Sequence, residues 1–170
     1  MTTVLVTGGA GYIGSACCRQ LVSQGCKVVI VDDLSTGHAD AVHPDAPFHK
    51  VDIGDSEALA DVLRANQIDV VFHFAAKALI PESVSNPGVF FDVNVARSVS
   101  MLEVLRRNGV RQFVFSSTAA VYGAPNLVPI PEDHVLVCGM AVGYADEDAA
   151  VNRLMPEKAP VEEFTAFLWD

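Results

Sequence analysis

The sequence predicts an α/β fold, a doubly wound parallel sheet in the order 3-2-1-4-5. Three observations predict it. Five short apolar runs are interleaved with amphipathic segments before Tyr122. The runs are apolar throughout, as in strands covered on both faces. A glycine cluster separates the first run from the first amphipathic segment, as in Rossmann-type folds. Right-handed crossovers then leave few strand orders.

The elements follow in turn. Thr3 to Thr7 (TVLVT) is a β-branched run ending in glycines, hence a buried strand. Gly11 to Ser23 is helical, with Ile13, Cys17, Leu21 and Val22 at helical spacing and Gly25 as its stop. Lys27 to Val31 is the second strand and Phe48 to Val51 a weaker third. Asp55 opens a helix to about Asn66, with Leu59, Val62 and Leu63 on one face. Asp69 to Phe74 is the fourth strand. One long helix is expected over Pro87 to Asn108, with Val95, Val99, Leu102 and Leu105 inward and Gly109 as its stop. Arg111 to Ser116 is the fifth strand. Beyond Gly123 the texture changes. Ala124 to His134 is a proline-rich loop, Val135 to Gly143 a candidate strand, and Pro160 to Trp169 a short helix.

At 170 residues and 51% hydrophobic content, the chain suits one domain with a real core. Eleven basic residues face 21 acidic ones, a net charge of -10, and no basic patch invites nucleic acid. The best candidate for a membrane span, Val70 to Ile80, is too short and contains His73 and Lys77. The start, MTTVLVTGGAG, lacks the pattern of a signal peptide, so a cytoplasmic protein is expected. Cys17, Cys18, Cys26 and Cys138 form no C-x-x-C pair and read as free, mostly buried thiols. His38, His43 and His49 have no ligand spacing, so no metal is expected.

The chemistry-bearing signal is Gly9-x-Gly11-x-x-Gly14, preceded by Gly8. An early glycine permits the tight turn, Gly11 lets a pyrophosphate approach backbone, and Gly14 lets the helix pack closely. The helix start then offers unpaired N–H groups to phosphate. Asp32 closes the second strand where an acid meets a ribose diol, and with Asp33 it should repel a 2′-phosphate. NAD is therefore the expected cofactor, in preference to NADP. The alternative is that the glycines serve a turn alone, and that Asp33 caps a turn with Ser35, Thr36 and Gly37.

TGGAGYIGS (Thr7 to Ser15), VDDLSTGH (Val31 to His38), HFAAKALIPESVSNP (His73 to Pro87), DVNV (Asp92 to Val95) and SSTAAVYG (Ser116 to Gly123) occur in order. Together they resemble the UDP-glucose 4-epimerases, extended short-chain dehydrogenases, from the start to about His134. The resemblance implies Tyr12 and Ile13 beneath the pyrophosphate. It places Asp32, Asp33, Leu34, Ser35, Thr36 and Gly37 around the adenosine ribose. Asp52 and Ile53 would meet adenine, Phe74, Ala75 and Ala76 would line the nicotinamide side, and Asn94 would bond near the phosphates or ribose. Thr118 would hydrogen-bond the sugar hydroxyl being oxidised. Taken alone, Asn94 is equally a structural contact and Thr118 a turn residue.

Epimerases of this type interconvert UDP-glucose and UDP-galactose through a 4-keto sugar, so a nucleotide-sugar substrate is implied. They use a tyrosine with a lysine four residues on, whose charge brings the phenol from about 10 toward neutrality. Here Tyr144 is followed at that spacing by Asp148, and Tyr122 by Asn126. The sugar-binding domain is not matched either. An epimerase-like NAD-binding domain over residues 1–134 is therefore expected, truncated and without turnover, with residues 135–170 as a dependent tail. A non-catalytic NAD-binding or dimerisation module is the alternative, since family members pair through the Pro87 to Asn108 region. Val137 to Phe167 resembles the end of flavin-dependent nitroreductases. Lys158 remains as a candidate FMN-phosphate ligand, while Met155 stands where arginine is expected. Flavin binding by that segment alone is not expected.

Overall fold

The computed structural model describes residues 1–117. Its strands are β1 (Thr3–Thr7), β2 (Lys27–Asp32), β3 (Phe48–Lys50), β4 (Val70–His73) and β5 (Gln112–Phe115). All pair in parallel in the order β3-β2-β1-β4-β5, the order the sequence predicts. The register sets Val4 beside Val28 and Val70, and Leu5 beside Val29 and Val71.

Strand side chains alternate between faces, and here both faces are buried. Helix α1 (Tyr12–Ser23) covers one face, where Cys18 and Leu21 pack on Val4, Val6, Val28, Ile30 and Val70. Helices α2 (Ser56–Asn66) and α5 (Ser98–Arg107) cover the other. There Leu59, Val62, Leu63, Met101, Val104 and Leu105 pack on Leu5, Val29, Val31 and Val71. This explains the unbroken apolar runs. Asp55 caps α2 as expected, its carboxylate accepting the Ala58 N–H at 3.0 Å. Cys17, Cys18 and Cys26 are free, and burial pushes the Cys17 and Cys18 thiols up to about 11 and 12.

The expected single helix over Pro87 to Asn108 requires correction. It is divided into α4 (Pro87–Phe91), a π turn (Asp92–Arg97) and α5, and a further short helix, α3 (Ile80–Ser85), precedes it. The expected inward set is corrected too. Met101, Val104 and Leu105 face the core, whereas Val95, Val99 and Leu102 are exposed. The segment carries two apolar stripes at helical spacing, and periodicity alone cannot say which one meets the sheet. The π turn also changes the phase between α4 and α5. The expected loop at Ala124 to His134, strand at Val135 to Gly143 and helix at Pro160 to Trp169 lie outside the described residues, as do Thr118 and Cys138. Among the described residues no helix is long and apolar enough to cross a membrane.

Candidate cofactor cleft

β1 ends against a loop that only glycine can build. Gly8 has a φ of +72°, and a Cβ there would lie 2.5 Å from the Ala75 backbone nitrogen. A Cβ on Gly14 would lie 2.1 Å from the Gly8 carbonyl oxygen, so the first turn of α1 rests directly on loop backbone. The loop is pinned by the Gly8 N–H to the Val31 carbonyl at 2.8 Å. Gly11 caps α1 without a side-chain bond, and the first turn carries no acidic residue. The opening N–H groups and the positive end of the helix dipole are thus left for a ligand, and Gly11, Tyr12 and Ile13 line the cleft at that end.

Asp32 ends β2 and is buried. Its Oδ2 accepts the Ala10 N–H at 3.0 Å and its Oδ1 the Leu34 N–H at 2.8 Å. The carboxylate therefore joins the glycine loop to the loop after β2. Each oxygen keeps a lone pair, which suits a diol that donates two hydrogen bonds. Gly37 packs so close that a Cβ would lie 2.8 Å from Asp32 Oδ1. Asp33 Oδ1 accepts the Ser35 N–H at 2.8 Å, so Asp33 does cap the turn. Leu34 takes up a φ of 60° to make that turn.

The opposite wall comes from later elements. Asp52 accepts the Gly54 N–H at 2.7 Å on Oδ1 and a guanidinium N–H from Arg97 on Oδ2. Phe74, Ala75 and Ala76 continue from β4, held by the Phe74 N–H to the Thr7 carbonyl at 2.9 Å. Asn94 bonds the Lys77 backbone in both directions, its Oδ1 accepting at 2.8 Å and its Nδ2 donating at 2.9 Å. Beneath this wall His73 is buried, its Nδ1 sharing a 2.6 Å hydrogen bond with the Thr7 hydroxyl. Burial lowers its pKa to about 4, so the ring is neutral at ordinary pH.

Of the cofactor residues expected from the sequence, all but Gly14, Leu34 and Asn94 line this one cleft, which measures about 310 Å³. Gly14 and Leu34 instead shape its floor through backbone, and Asn94 holds the Lys77 segment. Thr118 lies outside the described residues. Val51, Lys77, Val93 and Arg97 also line the cleft; Lys77 and Val93 fall inside the sequence motifs, which assign them no contact, while Val51 and Arg97 fall outside them. Arg97 carries no sequence signal, because its partners Asp52 and Asp92 have no fixed spacing to the glycine motif. The volume is at the small end of ordinary ligand clefts, about 300–1,000 Å³. Among the described residues no cluster of three or more His, Cys, Asp or Glu could hold a metal ion.

The sequence pattern of the NAD dependent epimerase/dehydratase family matches residues 4–154, beyond the His134 boundary set by the motifs. The UDP-glucose 4-epimerase of Lactobacillus helveticus is 48% identical over 130 residues, 76% of this chain and 39% of that protein. The chain thus spans about two fifths of the curated relatives it matches. The UDP-glucose 4-epimerase of Stenotrophomonas maltophila, solved with bound NAD and formylated UDP-arabinopyranose, superposes with a TM-score of 0.71 at 39% identity. That superposition covers 83% of this chain and 44% of the other. The Brucella ovis enzyme, solved in complex with NAD, superposes with a TM-score of 0.70 at 39% identity, over 78% of this chain and 40% of the other.

Proposed function

The chain belongs to the NAD dependent epimerase/dehydratase family, and on that premise we propose that its cleft binds NAD. The observation that carries this reading is the pairing of an uncapped helix start with a buried acid across one cleft. The first turn of α1 takes the pyrophosphate, and the closeness of Gly8 and Gly14 is what brings that turn to the cleft floor. Asp32 takes the adenosine ribose diol. Asp33 beside it adds a second charge against a 2′-phosphate. Asp52 and Ile53 form the adenine end, and Phe74 to Ala76 the nicotinamide end. NAD, when bound, supplies a hydride acceptor for a carbon bearing a hydroxyl group.

The substrate class we assign is a nucleotide sugar of the UDP-glucose type, with Thr118 as the hydroxyl partner of the sugar. No tyrosine within residues 1–170 has a lysine four positions later. The 170-residue chain by itself is therefore assigned cofactor binding without 4-epimerisation. The test is a calorimetric titration with NAD and NADP of the wild type and Asp32→Ala, with UDP-galactose turnover assayed alongside. Saturable NAD binding that weakens in Asp32→Ala, with NADP weaker than NAD and no turnover, is expected. A folded protein that ignores NAD overturns the reading.

A second reading concerns assembly. Phe91 at the end of α4, Val95 in the π turn, and Val99 and Leu102 in α5 recur at intervals of four, four and three residues, and all are exposed. A continuous apolar stripe of this kind is suited to pairing. We assign it to a second copy of the chain, in a symmetric dimer that buries the stripe against itself.

A further inference from the structure

Arg97 lines the cleft although neither the glycine motif nor the acid after β2 requires a cation there. It ends the π turn and is fixed by its edge. Its Nη1 donates to Asp52, while Nε and Nη2 both donate to Asp92 Oδ2, at 2.9 and 2.6 Å. Its stem lies over Gly54, where a Cβ would come within 2.9 Å of Cγ and 3.0 Å of Cδ. A side chain at position 54 would displace it. The Arg97 side chain keeps 33% of its surface exposed, and it is near enough to Asp33 for the two charges to interact. A guanidinium is a flat cation with donors around its rim and a π face on each side. With three of the five N–H donors held by two carboxylates, the plane is the larger surface left to a ligand.

We propose that Arg97 is the platform on which the adenine of the bound dinucleotide stacks, a planar cation gripped at its rim by Asp52 and Asp92. The proposal rests on the assignment of the cleft to NAD and gives its adenine end a specific chemistry. Asp52 supplies the polar edge of that end and Arg97 its flat face, while Val51 and Val93 close the sides. A phosphate would compete poorly for this arginine, because three of its five N–H donors are held by carboxylates and Asp33 stands near by. An aromatic base uses the face and leaves both ion pairs intact.

The test titrates the full 170-residue chain with NAD by calorimetry, and with nicotinamide mononucleotide, which lacks the adenosine, by its proton NMR signals. Wild type, Arg97→Lys and Arg97→Leu are compared. Lysine keeps the charge and loses the plane. Both variants should weaken NAD about tenfold and leave the mononucleotide unchanged. Arg97→Lys binding NAD as well as wild type overturns the stacking role. Equal weakening of both ligands overturns it too, since the effect would then lie in the shape of the cleft. A wild type that binds the mononucleotide or nothing, and not NAD, overturns the NAD assignment itself. Should Arg97→Leu fail to fold, Arg97→Lys decides the matter.

Discussion

The two walls of the cleft are built in different ways. The wall formed by β1, the glycine loop, α1 and the end of β2 is held by backbone contacts and by one side chain, the Asp32 carboxylate. Its contacts are the Gly8 N–H to Val31, the Asp32 carboxylate on Ala10 and Leu34, and a helix start seated on a carbonyl. The wall formed by β4, the π turn and α5 is held largely by side chains, with the Phe74 N–H to the Thr7 carbonyl as a backbone tie. Arg97 bridges Asp52 and Asp92, Asn94 grips the Lys77 backbone, and His73 meets Thr7 below. Backbone contacts leave no room for substitution. Side-chain contacts can be rearranged, which suits the second wall to setting ligand preference.

This contrast breaks most sharply at Gly14. Gly14→Ala sets a methyl carbon against the Gly8 carbonyl, where neither backbone can yield. A loss of about 3 kcal/mol in denaturant unfolding is expected, together with loss of NAD binding. A loss under about 1 kcal/mol would mean that the two segments are not rigidly apposed.

His73 gives the next effect, through pH. Its folded pKa of about 4 lies below the ordinary 6.5, so the unfolded chain takes up the proton first as pH falls. Stability tied to the neutral ring is fully present above about pH 6.5 and drains away toward about pH 4, by about 3 kcal/mol at most. His73→Gln keeps a hydrogen-bonding group for Thr7 and removes the titration. Its unfolding free energy should fall less than that of wild type across the same window. Parallel pH profiles for the two would contradict the burial of a neutral histidine.

Arg97 should matter far less to the fold than to the ligand. Its partner carboxylates at Asp52 and Asp92 are 35% and 51% exposed, so solvent screens both pairs. Arg97→Leu is expected to change the unfolding free energy by under about 1 kcal/mol. Smallest of all on stability is Val99→Lys, at an exposed position of the stripe. It should alter folding by less than about 0.5 kcal/mol. Sedimentation should nonetheless show the variant as a monomer and the wild type as a dimer. A monomeric wild type removes the second copy from the account.

The legibility of the sequence divides along the same line. Strand order, the first helix, the capping of α2 by Asp55 and the glycine loop are readable because local rules determine them. A β-branched run, a glycine at positive φ and an aspartate before a helix each carry their reason within a few residues. The second wall is less readable. Arg97 finds Asp52 across 45 residues of sequence, and no spacing announces such a pair. In the sequence His73 is merely a polar residue in an apolar run. The π turn has no signature, and the apolar stripe at Val95, Val99 and Leu102 passes for core because it obeys the same periodicity as the true inner face.

The central claim is that the start of α1 is an anion site for a dinucleotide. The direct measurement is the NAD affinity of Ile13→Glu beside its thermal unfolding. Ile13 lines the cleft and is 60% exposed, so a glutamate is tolerated there. A carboxylate in the first helical turn stabilises the helix, while it repels a pyrophosphate bound at the same helix end. The account predicts an unfolding temperature equal to or above that of wild type and NAD binding weakened at least about tenfold. Unchanged NAD affinity in the folded variant would contradict it, because the phosphates would then lie elsewhere.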